Sequence, residues 1–166
     1  MERLEQTGKR HMVNGVEVKS RKKTGNKWFE LSDSIAYWQD LCEPKIVWKA
    51  VGRRLAFAIA GEEFLLTAPA CFISGKQYNQ SILAYLCSDY GSYFIYKYSD
   101  TTGAGDIMVN VQSLVKVMIP LDVMEDVELQ KAIKSEDYQL IEECVFNSFN
   151  LNDEERRYIK HFVSNF

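Results

Sequence analysis

Catalysis in this chain would have to be built from His11, His161, four cysteines and three pairs of neighbouring carboxylates. Acyl or group transfer through a Ser–His or Cys–His pair needs the base within hydrogen-bond reach of the nucleophile. The two histidines lie near opposite ends of the 166-residue sequence, each in a polar context, and neither reads as catalytic. Cys42, Cys71, Cys87 and Cys144 are far apart, without the paired spacing of a zinc or redox site, and read as small apolar residues of a reducing compartment. Glu62-Glu63, Glu142-Glu143 and Glu154-Glu155 are adjacent, so on a strand or helix their side chains diverge rather than converge on one atom. They read as solvated faces. Gly103-Ala104-Gly105 sits in the loop-like stretch Thr101 to Asp106, lacking the strand before and helix after that a phosphate cradle requires. No Gly-x-x-x-x-Gly-Lys-Ser/Thr loop occurs. The expectation is a chain with no catalytic residue, metal site or cofactor of its own.

Charge is more informative than its total of −3. Residues 1–60 carry 12 Lys and Arg against 7 Asp and Glu, a net +5, whereas residues 61–122 are at −3 and residues 123–166 at −5. Such asymmetry points to different partners for the two ends, with phosphates suited only to the first. The apolar fraction of 46% and charged fraction of 26% match a globular domain. No run approaches the roughly 18 apolar residues of a membrane span, and the N-terminus does not read as a signal peptide. A cytoplasmic protein with no membrane contact is expected.

These groups must be positioned by a mixed α/β scaffold. Val13, Val16 and Val18 around Asn14-Gly15 suit a short hairpin within a basic lead-in, residues 1–27. Strands are expected at 28–31, at 45–51 behind Pro44, at 55–60 and 63–67 about a Gly61 turn, at 71–74, at 107–111 and at 116–119. One or two helical turns fit 32–41, and a further turn 112–115. Ile82, Tyr85, Leu86, Tyr90, Tyr93 and Phe94 recur at helical spacing over 81–98, with Gly91 a weak point. After Pro120 the pattern turns helical over 123–149, with a break near Ser135; Asn152 and Glu155 then form a capping box that opens a last helix. The fold class predicted is mixed α+β: a compact, twisted, mainly antiparallel sheet with packed helices (28–122), followed by C-terminal helices (123–166).

The order of features is more specific than any one of them. Trp28-Phe29-Glu30-Leu31 precedes Pro44-Lys45-Ile46-Val47, then a variable β-rich stretch, the helix Ile82-Leu83-Ala84-Tyr85-Leu86-Cys87-Ser88, and Val117-Met118-Ile119-Pro120-Leu121. The series resembles the C-terminal specificity domain of TaqI-like type IIG restriction–modification enzymes and related adenine-specific DNA methyltransferases, and covers most of the chain from Trp28 onward. The tail Ile141-Glu142-Glu143-Cys144-Val145-Phe146 with Phe149-Asn150-Leu151 is similar to the ending of that family. Cys87 departs from it, standing where the family usually has Asn before Ser. The family's Asn-Pro-Pro-Tyr-type methyltransferase motif is absent from these residues, as is a nuclease domain.

The resemblance implies a domain that selects a site on double-stranded DNA. Methyl transfer or cleavage would fall to other domains of the parent polypeptide, which would hold S-adenosylmethionine and Mg. Cations would then neutralise phosphates while Arg, Lys, amides and hydroxyls on loops read base edges. The candidates are Arg21, Lys22 and Lys23 in the lead-in; Lys45 and Lys49 on the outer face of one strand; Arg53 and Arg54 at its end; Lys76, Gln77 and Asn79 in a polar loop; and Thr101 and Thr102. The alternative is a protein-interaction module that docks through its acidic helical C-terminus without DNA.

Overall fold

The computed structural model describes residues 7–20, 23, 25, 27, 36–75 and 80–166, and the chain divides into two compact units, Met1–Gln39 and Asp40–Phe166. In the first, β1 (Arg10–Val13) and β2 (Val16–Lys19) form an antiparallel hairpin. Asn14 and Gly15 take φ of 50° and 79°, the paired positive values of the tight turn that the Asn-Gly dipeptide favours. The strand expected at 28–31 lies outside the described residues, as does the start of the helical turns expected over 32–41; the described part of the latter forms two short 3-10 turns, Ala36–Trp38 and Asp40–Cys42.

The second unit is mixed α/β, as its patterning predicts. Its central strand is β3 (Lys45–Lys49), flanked on both sides by antiparallel partners, β5 (Phe57–Ala60) and β6 (Ala70–Ser74). A second sheet has the order β4 (Val51–Gly52), β8 (Ile107–Met108), β7 (Asp100–Thr101). Among the described residues the strands are thus shared between small sheets rather than joined in one. Neither 63–67 nor 116–119 is a strand: the first folds back as irregular chain, and the second runs as a turn, a bend and irregular chain.

Helical spacing over 81–98 yields two helices, α1 (Gln80–Cys87) and α2 (Asp89–Tyr98). The break falls at Ser88, not Gly91. The Ser88 hydroxyl donates to the Tyr85 carbonyl at 2.7 Å and accepts from the Gly91 amide at 3.1 Å, so one side chain ends α1 and caps α2. Gly91 is required by close approach, since a Cβ there would drive into the Tyr85 carbonyl. A short α3 (Val111–Leu114) follows, then α4 (Val127–Lys134), α5 (Tyr138–Ser148) and α6 (Asp153–Val163). The gap between α4 and α5 falls at Ser135, and the Asn152–Glu155 capping box is present on both sides.

Two apolar clusters fill this unit. One gathers Ile46, Trp48, Leu86, Ile95, Ile107 and Val109 between the sheets and α1–α2, and the Trp48 indole donates to the Val109 carbonyl at 3.1 Å. The other joins Tyr85 and Tyr90 to Leu129, Val145, Phe146 and Ile159 of the C-terminal helices. Tyr85 also donates its hydroxyl to Ser148 at 2.8 Å. Arg156 ties α6 to α5, donating to Glu143 and Asn147 at 2.8 Å each while its guanidinium lies over the Phe146 ring. The C-terminal helices therefore share a core with the middle of the chain.

Candidate nucleic-acid interface

Strand pairing collects a cationic group at one end of the second unit. β3 runs through Ala50, whose carbonyl accepts from Val109 at 2.8 Å, directly into β4. Gly52 pairs with Ile107 on one side of β8, and Thr101 pairs with the same residue on the other. The Arg53-Arg54 turn leaving β4 and the 102–106 loop leaving β7 consequently emerge side by side. Both arginines are exposed, as is Lys49, whose aliphatic stem lies 3.8 Å from where a Cβ of Gly52 would stand.

The loop is closed by its own hydrogen bonds. Thr102 donates its amide to the Asp106 carbonyl at 2.7 Å, Gly105 donates to the Thr102 carbonyl at 2.9 Å, and the Asp106 amide donates to the Thr102 hydroxyl at 3.0 Å. Gly105 has φ of 83°, where a side chain would be strained. Thr102 thus spends its hydroxyl on the turn, while Thr101 stays exposed. Asp106, which sequence reasoning missed, places its carboxylate 3.8 Å from the Arg53 Nε, a loose surface pair worth well under about 1 kcal/mol. With Asp100 also exposed on β7, the end is only modestly positive. Lys49, Arg53, Arg54, Thr101 and Thr102 are brought together.

Lys45 is not among them, and here the reading of β3 is corrected. It is 0% exposed, and its ammonium donates to the Gly61 carbonyl at 2.8 Å and the Phe64 carbonyl at 3.1 Å. Period-two alternation places Lys45 with Lys49 on an outward face, but the chain after β5 folds over the Lys45 end of that face and covers it. Lys45 pairs with Ser74, so the polar loop after β6 departs from the far end of β3, about 13 Å from Lys49 at 3.3 Å per residue. Lys76, Gln77 and Asn79 lie outside the described residues, as do Arg21 and Lys22. Lys23 is exposed in the first unit.

A thiol and a carboxylate share a cleft of this unit. Cys87 faces a cleft of about 320 Å³ between α1, α4 and α5, which Glu142 also lines. Although Cys87 as a residue is exposed, burial of its thiol pushes the pKa up and the Glu142 carboxylate adds to this, the opposite of what a nucleophile needs. Glu142 accepts from the Asp89 amide at 2.8 Å through Oε1, while its other oxygen is buried without a hydrogen-bond partner among the described residues. Burial pushes its pKa up to about 7, against the Asp89 hydrogen bond. Cys144 is buried, and burial likewise raises its thiol, to about 11. Among the described residues no group of His, Cys, Asp and Glu could hold a metal ion, and no helix is long and apolar enough to cross a membrane. Compared with protein-family models, curated proteins and solved structures, the chain matches none.

Proposed function

We propose that residues 40–166 form a non-catalytic DNA-recognition domain of a restriction–modification methyltransferase or endonuclease of the type IIG kind. In this reading Lys49 and the Arg53-Arg54 turn contact phosphates, the exposed Thr101 lies beside them, and a separate catalytic domain holds S-adenosylmethionine and Mg. The observation that carries it is the shared pairing of Gly52 and Thr101 with Ile107, which gathers three exposed cations and a hydroxyl at one sheet end. Guanidinium groups on a turn leaving a strand can fork onto phosphate oxygens or guanine edges.

Titration of the full chain with duplex DNA between 50 and 200 mM salt tests this. Three phosphate contacts give a log–log slope of about −2.7, and Arg53→Ala with Arg54→Ala reduces its magnitude by about 2. Binding that ignores salt, or a double variant indistinguishable from the parent, overturns the reading. Incubation with DNA and methyl donor yields no methylated product from this chain alone. The alternative, protein docking through the acidic helices, is favoured by one separate observation, an aromatic cleft beside α6.

A further inference from the structure

We infer that the cleft between α2 and α6 receives a lysine or arginine side chain from a partner protein. The inference is independent of DNA binding and involves none of the residues assigned to it. The cleft has a volume of about 540 Å³ and is lined by the rings of Tyr90, Phe94, Phe149 and Tyr158 together with Glu154 and Glu155.

Its chemistry selects a cation. Tyr90, 3% exposed, stacks on Phe149 with centroids 4.2 Å apart and leans on Phe94 at 4.9 Å, so the rings beneath the cleft are held rigidly and the open ring is that of Tyr158. Tyr158 is 59% exposed; its ring meets Tyr93 only edge-on at 6.1 Å and Phe162 at 6.4 Å. Aromatic faces carry partial negative charge and draw ammonium or guanidinium groups. On the neighbouring ring the hydroxyl already attracts a cation: the Lys97 ammonium donates to the Tyr93 hydroxyl at 2.9 Å, with its nitrogen 5.1 Å from the ring centroid.

Full charges reinforce the ring effect. Asp153, Glu154 and Glu155 crowd the first turn of α6 and cover the positive end of its dipole. Glu155 gives one carboxylate oxygen to the Asn152 amide, whereas Glu154 has no ion-pair partner among the described residues. Arg156, Arg157 and Lys160 of the same helix balance these three charges in number, but among the described residues none of them, nor Lys97, forms an ion pair with Glu154 or Glu155. Residues 123–166 as a whole carry −5, so an approaching basic segment is attracted before it docks. Met118, 61% exposed at the margin, supplies an adaptable apolar contact for the residues that flank the cation. A free small amine would leave that margin uncovered; a peptide segment covers it.

The test is an amide-resolved NMR titration of the full chain with Ac-Leu-Lys-Leu-NH2, Ac-Leu-Arg-Leu-NH2 and the neutral isostere Ac-Leu-Nle-Leu-NH2. The charged peptides are expected to bind roughly five- to tenfold more tightly than the isostere and to shift amides around Tyr90, Phe94 and Ile159. Tyr158→Leu, at an exposed position, removes most of that preference, Glu154→Gln lowers it about twofold, and Arg53→Ala with Arg54→Ala leaves it unchanged. Equal affinity for the isostere, shifts located elsewhere, or full preference in Tyr158→Leu would each overturn the assignment. So would the absence of any shift at the highest peptide concentration.

Discussion

Replacing Glu142 by Gln should make the protein more stable near neutral pH and leave it almost unchanged in acid. Glu142 lies on α5 with Oε1 committed to the Asp89 amide and Oε2 buried without a hydrogen-bond partner among the described residues. Burial, the largest influence, raises its pKa from 4.5 to about 7; the nearby Asp89 and Glu143 charges raise it further, while the Asp89 amide and Lys160 lower it. In the unfolded chain the carboxyl ionises near its ordinary value. Between pH 4.5 and 7 the unfolded state therefore releases a proton that the folded state keeps, and stability falls as pH rises through that window. Taken in full, the interval corresponds to about 3 kcal/mol; partial solvent access to the cleft reduces this to about 1–2 kcal/mol. Glutamine keeps the acceptor for Asp89 and cannot ionise, so it escapes the loss. Urea unfolding of both proteins at half-unit steps from pH 4.5 to 8 reads the difference directly. It should start near zero and reach about 1–2 kcal/mol in favour of the variant, or roughly 2–8 °C in Tm. A difference that stays flat across the range, or a variant less stable at pH 7.5, refutes the reasoning.

Lys45→Met keeps the buried stem but strips the ammonium from the carbonyls of Gly61 and Phe64. It should cost about 2–4 kcal/mol in denaturant unfolding while leaving the DNA affinity of the folded protein unaltered, and a weakened affinity would return Lys45 to the interface. Tyr90→Phe removes a hydroxyl that is buried without a hydrogen-bond partner among the described residues, so thermal unfolding should show no loss, or a gain of up to about 1 kcal/mol; a loss beyond about 1.5 kcal/mol would mean that the hydroxyl is satisfied.

Local chemistry was the legible part of this chain. Asn14-Gly15 announces its turn because the conformation needs positive φ at both residues, and Asn152 with Glu155 announces α6 because each satisfies an amide of the other's segment. The helix break near Ser135 shows in the same way. What sequence does not carry is the covering of one segment by another. Lys45 and Lys49 are equivalent by alternation, and only the return of residues 61–64 over one of them separates a buried ammonium from an exposed one. The Ser81 to Tyr98 periodicity continues through Ser88 because apolar residues recur at helical spacing on both sides of it, so the residue that parts the helices is visible only from its hydrogen bonds. Arg53 and Arg54 were legible as a turn at a strand end. Their meeting with Thr101 depends on a two-residue pairing with no periodic signal, and the loop beyond it reads by composition only as a loop, although three hydrogen bonds close it.

Helix α1 has a consequence for how such a domain can be inherited. It gives Leu86 to the cluster under the sheets and Ala84 with Tyr85 to the cluster under the C-terminal helices, a party wall between two rooms. Neither room has an outer shell of its own on that side. A chain cut after Pro120 would bare Tyr85 and Tyr90 to water, together with the ring of Phe94. Any exchange of this domain between larger proteins must accordingly carry residues 40–166 as one indivisible parcel, and whatever the sheet end binds travels with whatever the helices dock.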